Sequence, residues 1–284
     1  MHDADRKQLL EFVERHPRLL VLTGAGISVA AGIPEYRDAN GDWKRPAPVQ
    51  YSDFVRRHGT RQRYWARSLI GWTWFQQATP APGHHALAEW EQQGHIAHLV
   101  TQNVDRLHQA AGSVSVTDLH GRLDRVICLD CTAMFDRESI QAELRGINPG
   151  FAPAQAAMAP DGDAYLADRD YAGFVVPDCP HCGGILKPDV VFFGETIPAG
   201  RVNASLEALE NADALLVIGS SLMVYSGYRF CLRAADKGKP IAAVNPGRTR
   251  ADNLLDLKIR ATFESLLEAD LSRATPGDRH RSNG

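Results

Sequence analysis

The chain has 284 residues, of which 34 are acidic and 31 basic, for a formal net charge of −3 at pH 7. Because such a chain carries no overall basic field, nucleic acid is not an expected partner. The sequence holds no apolar run near the roughly 18 residues that a membrane-spanning helix needs, so we expect no membrane-embedded segment.

Short apolar runs alternate along the chain with amphipathic stretches of helical length. Five runs have the composition of buried strands: 19–23, 96–101, 114–119, 214–218 and 241–244. Three stretches predict helices: 84–93, 201–211 and 226–237. This alternation predicts an α/β fold in which helices cover both faces of a parallel sheet.

Two segments interrupt the alternation. Residues 34–74 are rich in Arg, Trp and Tyr and predict a loop-and-helix insertion after the first strand. Residues 128–182 carry all the paired cysteines and predict a small satellite domain, with a Pro, Ala and Gly-rich loop in its middle. The tail after Arg273 has almost nothing to bury, which favours disorder.

Four of the five cysteines form two CxxC pairs, Cys128 with Cys131 and Cys179 with Cys182. Two such pairs supply four thiolates, the ligand set of a tetrahedral zinc site. Since four thiolates leave no position for water, the metal is expected to be structural. The alternative is that these are free cysteines of an ordinary core. Cys231 stands alone in a helical stretch and is expected to be a small core residue.

Small and polar residues follow four of the apolar runs. The first turn, Gly24 to Ser28, has glycines that would let backbone N–H groups approach a pyrophosphate. The third glycine of a dinucleotide fingerprint is missing, because position 29 is Val29. Taken alone, the segment could equally be a plain tight turn.

The other polar turns are Gln102 to Asp105, Gly219 to Ser221 and Asn245 to Gly247, and Tyr36 and Arg37 follow the first turn. The carboxyl ends of parallel strands meet at one edge of a sheet, so together the turns predict a nucleotide site in a single crevice.

His120 also comes at the end of an apolar run. An imidazole beside such a crevice could act as general base toward a ribose hydroxyl, although a lone histidine is more often structural or exposed. The run from Lys187 to Glu195 could be a buried strand or an edge that pairs with a peptide backbone. The sequence does not separate these alternatives.

In order and spacing, these motifs resemble those of the sirtuins, over about residues 19–267. The strings at 61–67, 159–163 and 224–228 resemble class II sirtuins of the sirtuin four type, and we expect a bacterial protein. The resemblance implies a Rossmann-like domain of residues 1–121 and 190–273, which includes a cofactor-binding loop and helical insertion at 32–75. It also implies an inserted zinc-binding domain at 122–189 and a disordered tail at 274–284.

The resemblance implies an NAD-dependent protein-lysine deacetylase or deacylase. The acyl carbonyl oxygen of a modified lysine would attack C1′ of the nicotinamide ribose of NAD and expel nicotinamide. His120 would then activate a ribose hydroxyl that attacks the resulting imidate, giving free lysine and O-acyl-ADP-ribose. Asn103 and Asp105 match the positions that hold the nicotinamide ribose and the nicotinamide pocket.

The remaining site residues are also carried over from the family. The expected NAD contacts are Gly24, Ala25, Gly26, Ile27, Ser28, Gly32, Ile33, Pro34, Tyr36, Arg37, Gln102, Asn103, Val104, Asp105, Gly219, Ser220, Ser221, Asn245, Pro246, Gly247 and, by spacing alone, Phe263. The expected substrate contacts are Tyr64, Arg67, Val191, Phe192, Phe193 and Gly194. The expected ligands of one zinc ion are Cys128, Cys131, Cys179 and Cys182.

Several alternatives stay open at this point. The same NAD site could serve protein mono-ADP-ribosyl transfer, or the chain could be a non-catalytic NAD-binding module. Acetyl-lysine is the default substrate, although Tyr64 and Arg67 could instead bind an acidic acyl group. The N-terminal residues carry charges of both signs, which favours a cytoplasmic location. The expected partners are acylated-lysine proteins and NAD, with no membrane and no required oligomer.

Overall fold

The computed structural model of the chain describes residues 2–44, 48–151, 157–158, 164–165 and 171–271, and the predicted tail at 274–284 lies outside them. The strands are β1 Leu19–Thr23, β2 Ile96–Thr101, β3 Val116–Asp118, β4 Gly121–Cys128, β5 Met134–Asp136, β6 Ala157–Met158, β7 Ala164–Tyr165, β8 Leu186–Val190, β9 Ala214–Ile218, β10 Ile241–Val244 and β11 Leu257–Ile259.

The α-helices are α1 His2–Arg15, α2 Tyr51–Arg56, α3 His58–Phe75, α4 Pro82–Gln92, α5 Leu107–Ala110, α6 Arg137–Ile147, α7 Ala199–Asn211, α8 Tyr225–Asp236 and α9 Phe263–Leu271. Two short 3-10 helices span Ala25–Ala31 and Asp252–Leu254. None of the helices in the described residues is long and apolar enough to cross a bilayer.

The larger sheet has six parallel strands in the order β11-β10-β9-β1-β2-β3. Every residue of β1 is buried because helices cover both faces of the sheet. Leu19 and Val21 pack with α1, α4 and α9, whereas Leu20 and Leu22 pack with α7 and α8. The predicted α/β fold with a covered parallel sheet is therefore confirmed.

One predicted strand is shorter than its apolar run. The run at 114–119 yields only Val116–Asp118, and the side chain of Val114 is 87% exposed. The backbone N–H groups of Val114 and Ser115 donate to the carboxylate of Glu91 on α4 instead of to a neighbouring strand. A side chain that is remote in sequence thus decides where β3 begins.

The smaller lobe is built on the antiparallel sheet β5-β4-β8, against which α6 packs. Its apolar cluster includes Val126 of β4 and Ile140 of α6. The same cluster takes in Phe54 of α2 and Tyr64 and Trp65 of α3. The aromatic part of the 32–75 insertion, which the sequence grouped with the larger domain, thus packs with the smaller sheet.

Candidate active site

Five strands of the larger sheet end at one cavity of about 340 Å³. Strand β1 lies between β2 and β9, so the chain leaves β1 toward one side of the sheet and later returns to its other side. Such a switch point is where open α/β sheets bind ligands. The parallel ladder continues one residue beyond the strands, because the N–H of Gly24 donates to Ile218 O at 3.1 Å and that of Gly219 to Val244 O at 3.0 Å.

Most of the expected NAD and reaction residues line this cavity. They are Gly24, Ala25, Gly26, Ser28, Ile33, Tyr36, Arg37, Gln102, Asn103, Val104, Asp105, His120, Gly219, Ser220, Ser221, Asn245, Pro246 and Gly247, together with Val191 and Phe193 of the expected substrate segment. The structure therefore brings turns more than 200 residues apart in sequence into one site.

The other expected residues lie elsewhere. Those absent from the lining are Ile27, Gly32, Pro34, Tyr64, Arg67, Phe192, Gly194 and Phe263. Phe263 is 2% exposed and meets the ring of Trp90 edge-on at 5.7 Å, so it belongs to the core beneath α9. Spacing alone had placed it at the adenine, and the apolar packing of α9 explains its different position.

The turns after β1 and β9 touch through their glycines. The N–H of Gly26 donates to Gly219 O at 2.8 Å. A Cβ on Gly26 would lie 2.8 Å from Gly219 Cα, and a Cβ on Gly219 would lie 2.5 Å from Ile27 N. Gly219 also has a φ of +61°, which L side chains rarely adopt. Both glycines are needed so that the two turns can share one wall of the cavity.

We expect Gly26→Ala to weaken NAD binding at least tenfold, because the new methyl group must push the backbone of Gly219 away from the turn. Crowding of this kind costs about 1–3 kcal/mol. Gly146→Ala is the matched control: Gly146 lies near the end of α6, its Cβ would meet nothing within 4 Å, and removing a helical glycine is expected to raise stability by about 0.5 kcal/mol. Calorimetric titration with NAD checks the prediction, and equal affinity of both variants would contradict it.

A fixed set of hydrogen bonds joins the turns after β1 and β2. The hydroxyl of Ser28 donates to Asp105 Oδ2 at 2.7 Å, and the side-chain amide of Asn103 donates to Ser28 Oγ at 3.0 Å. The same amide donates to Gly24 O at 3.2 Å, and the N–H of Leu107 donates to Asp105 Oδ1 at 3.0 Å. Burial raises the pKa of Asp105, and the bonds from Leu107 and Ser28 oppose this rise. Asn103 and Asp105 are thus held rigidly at the cavity wall.

His120 faces the cavity from the end of the β3–β4 connection. Its Nδ1 lies 2.9 Å from Gln102 O, and a carbonyl oxygen can only accept, so Nδ1 carries the proton in the neutral ring. Its Nε2 therefore keeps a lone pair, which lies 2.8 Å from the hydroxyl of Ser226. Burial lowers the pKa of His120 to about 4, and the charges of Arg201 and Arg229 act in the same direction. The imidazole is neutral at pH 7 and able to take a proton on Nε2.

Two further histidines are buried beneath the turn after β1. His84 Nδ1 accepts the N–H of Ala81 at 3.1 Å, and its Nε2 lies 3.4 Å from Ser28 Oγ. His108 Nε2 lies 2.9 Å from Thr23 Oγ1, and the two imidazole rings are 4.8 Å apart. Burial lowers the pKa of His84 to about 4 and that of His108 well below its usual value. Neither histidine could be assigned from the sequence, because the contacts join separate elements.

We expect these neutral histidines to make the protein sensitive to acid. A histidine with a folded pKa near 4 and an unfolded pKa near 6.5 stabilises fully above pH 6.5, and this stability is lost as the pH falls toward 4. For His84 alone, the loss between pH 7.5 and pH 5 is about 2 kcal/mol. His84→Gln, which cannot titrate, should reduce the pH dependence by that amount in urea unfolding. An unchanged pH profile in this variant would contradict the assignment.

The segment after Ile33 forms an aromatic wall of the cavity. The guanidinium of Arg37 lies 3.8 Å from the ring centroid of Trp43 and donates to Gly41 O at 2.7 Å. The rings of Trp43 and Phe193 meet at 5.5 Å, so the segment touches the expected substrate strand. Trp43 was not predicted as a site residue, although a tryptophan six residues beyond Arg37 could have indicated such stacking.

The first part of the Lys187–Glu195 run is a buried strand, and the pairing of its second part with a peptide backbone stays a prediction. The first part is β8, which pairs with β4. Beyond Val190 the chain borders the cavity, where the N–H of Val191 donates to His120 O at 2.8 Å and Phe193 O accepts the N–H of Tyr51 at 2.9 Å. The run is therefore first a buried strand and then a cavity edge.

The four paired cysteines fit a zinc ion. Their sulfur atoms all lie within 4.8 Å of one another, with Cys128 and Cys182 at 3.5 Å and Cys131 and Cys179 at 3.7 Å. With a Zn–S bond of about 2.3 Å, the edge of a tetrahedron is about 3.8 Å, so the cluster has the right size. The backbone N–H of Asp130 points to Cys128 Sγ at 3.4 Å, which favours a thiolate. The cysteines are positioned to bind one zinc ion, and none of them lines the cavity.

Comparison with known proteins agrees with this geometry. The model of the Sir2 family matches residues 24–226, which is more than half of the chain. The chain belongs to the Sir2 family. This Sir2 chain is 58% identical over 263 residues to a protein of Xanthomonas axonopodis pv. citri named "NAD-dependent protein deacetylase", a match that covers 93% of the chain and 90% of that protein.

Two more distant proteins also match this Sir2 chain. It is 48% identical to the human "NAD-dependent protein lipoamidase sirtuin-4, mitochondrial", over 92% of the chain and 84% of that protein, which supports the class II expectation. A solved complex described as "Sir2-p53 peptide-NAD+" is 28% identical, with a TM-score of 0.75, and the match covers 94% of the chain and 98% of that structure.

Proposed function

We propose that this chain is an NAD-dependent protein-lysine deacetylase that transfers the acyl group of a modified lysine to ADP-ribose. The observation that carries the proposal is the neutral imidazole of His120, whose Nδ1 proton is fixed by Gln102 and whose Nε2 carries a lone pair, in the lining of a cavity built from five strand ends. A relative whose match covers 90% of its length is named NAD-dependent protein deacetylase, which supports the proposal.

Each group of residues has a separate task in this reaction. NAD supplies the nicotinamide that leaves and the ADP-ribose that receives the acyl group. The glycine turns bring backbone groups close to the diphosphate, while Asn103 and Asp105 hold the nicotinamide end. His120 accepts a ribose hydroxyl proton on Nε2, which makes that oxygen a nucleophile toward the acyl carbon. The zinc ion would brace the smaller lobe, because its ligands lie outside the cavity.

Acetyl-lysine is the substrate class that we propose, because relatives of the chain are named as deacetylases. Tyr64 is 2% exposed and its ring meets that of Phe192 at 5.2 Å, directly behind the Val191–Phe193 edge. Phe54 and Trp65 surround the same ring at 5.4 and 5.6 Å, so the core behind this edge is aromatic. Arg67, one helical turn further along α3, is half-buried and is the group that an acidic acyl chain would need.

The test incubates the purified protein with NAD and peptides that carry acetyl, propionyl, succinyl, glutaryl or lipoyl lysine. Nicotinamide release and peptide mass are followed together. Loss of one acyl group for each nicotinamide released is the expected result, with acetyl-lysine preferred. In Arg67→Met, any activity toward succinyl or glutaryl peptides should fall while acetyl turnover stays. Nicotinamide release with ADP-ribose attached to protein would instead favour mono-ADP-ribosyl transfer. If neither nicotinamide release nor a change in peptide mass is detected, a non-catalytic NAD-binding module is favoured.

A further inference from the structure

Ser226 contacts the reactive nitrogen of His120 from outside the cavity. Its hydroxyl oxygen lies 2.8 Å from Nε2, its side chain is 7% exposed, and it does not line the cavity. Ser226 stands in the first turn of α8, 106 residues after His120. No role for Ser226 was predicted from the sequence, and the family match assigns it none.

The direction of this hydrogen bond follows from the other ring nitrogen. Because Nδ1 donates its proton to Gln102 O, the neutral ring offers only a lone pair at Nε2, so the Ser226 hydroxyl must donate there. Once Nε2 has taken a proton from a ribose hydroxyl, it becomes a donor and needs an acceptor. The Ser226 hydroxyl can rotate and accept a hydrogen bond from Nε2–H, so the same contact can be made with the neutral and with the protonated ring of His120.

The surroundings of His120 disfavour its protonated ring, so an acceptor for the Nε2–H group would stabilise that form. The charges of Arg201 on α7 and Arg229 on α8 both disfavour an imidazolium at His120, as does burial. The start of α8 is also held close: a Cβ on Gly227 would lie 2.4 Å from Gln102 Oε1, so the helix packs directly on the residue that fixes Nδ1. Ser226 and Gln102, which contact the two ring nitrogens of His120, therefore belong to segments that pack directly against each other.

We propose that Ser226 is a positioning residue for His120: its hydroxyl donates a hydrogen bond to Nε2 while the ring is neutral, releases that lone pair when Nε2 takes the ribose hydroxyl proton, and then rotates to accept a hydrogen bond from Nε2–H. This inference deepens the proposed function and rests on it. Since Ser226 is not part of the cavity lining, its replacement leaves the residues that would contact NAD unchanged. The effect should therefore appear in the step that uses the base and not in substrate binding.

The experiment compares Ser226→Ala, Ser226→Thr and a matched control, Ser205→Ala. Ser205 is also a buried serine, but its hydroxyl donates to Arg201 O within α7. We expect Ser226→Ala to lower kcat for deacetylation about tenfold, in line with the loss of one hydrogen bond to a charged group. The KM for NAD and the peptide-dependent exchange of labelled nicotinamide should stay within about twofold of wild type. Ser226→Thr should restore most of kcat, and Ser205→Ala should match wild type.

A second readout does not depend on turnover. In ¹⁵N-labelled protein, the Nε2 resonance of His120 should move in Ser226→Ala and stay in place in Ser205→Ala. Unchanged or faster deacetylation by Ser226→Ala, an equal fall in deacetylation and exchange, or an unmoved Nε2 resonance would each overturn the inference. If wild-type protein itself shows no nicotinamide release with any acyl peptide, the proposed function fails, while the resonance still decides whether Ser226 holds the ring.

Discussion

Replacing His120 by alanine is expected to lower the rate of deacetylation about a thousandfold, which lies within the range that a positioned general base contributes. The reason is that no ribose hydroxyl proton can then be taken at Nε2. NAD affinity should change by less than about threefold, because Asn103 and Asp105 keep their bonds to Ser28 and to the backbone. Peptide mass and NAD titration, measured on the same preparation, check both parts.

The pH dependence gives a second test of the same residue. With a pKa near 4, His120 in the free enzyme is almost fully neutral at pH 6. A histidine with the ordinary pKa of 6.5 would be neutral in only roughly a quarter of the molecules at that pH. We therefore expect kcat/KM to be nearly the same at pH 7 and pH 6. A fall of several-fold over this interval, or a His120→Ala variant with wild-type turnover, would contradict the assignment.

The larger sheet could be predicted from the sequence because its central strands are buried on both faces. A buried parallel strand is a continuous apolar run with polar turns at its ends, and the runs at β1, β2, β9 and β10 have the predicted bounds. The same property locates the cavity, since residues that follow parallel strands must meet at one edge. The zinc cluster was predictable for a similar reason: each CxxC pair fixes two ligands locally.

What the sequence could not give depends on side chains that meet only after folding. Ser226 and His120 are 106 residues apart, and Ser28 and His84 are 56 apart, with no local signal that pairs them. Trp43 meets Phe193 through loop geometry, which apolar periodicity does not describe. For Phe263, by contrast, a match in spacing predicted a contact with NAD, whereas the structure places the residue in the core.

The zinc cluster carries the largest expected effect on stability. Cys179→Ala should bring the zinc content from about one ion per chain to nearly none, because three thiolates at an exposed edge hold the metal far more weakly than four. Structural zinc contributes about 10–16 kcal/mol of binding free energy in small zinc domains. That contribution exceeds the total stability of most domains, so the smaller lobe should unfold.

The loss of zinc should also abolish activity, although no cysteine of the cluster lines the cavity. Strand β8 continues directly into the Val191–Phe193 edge, and the N–H of Val191 donates to His120 O, so unfolding of the small sheet removes one wall of the site. Cys231→Ala is the matched control, since Cys231 is equally buried but lies in α8, and it should keep zinc and activity. Elemental analysis, thermal melting and deacetylation of all three proteins check this prediction. A zinc-free Cys179→Ala protein that melts and turns over like wild type would show that the cluster does not support the site.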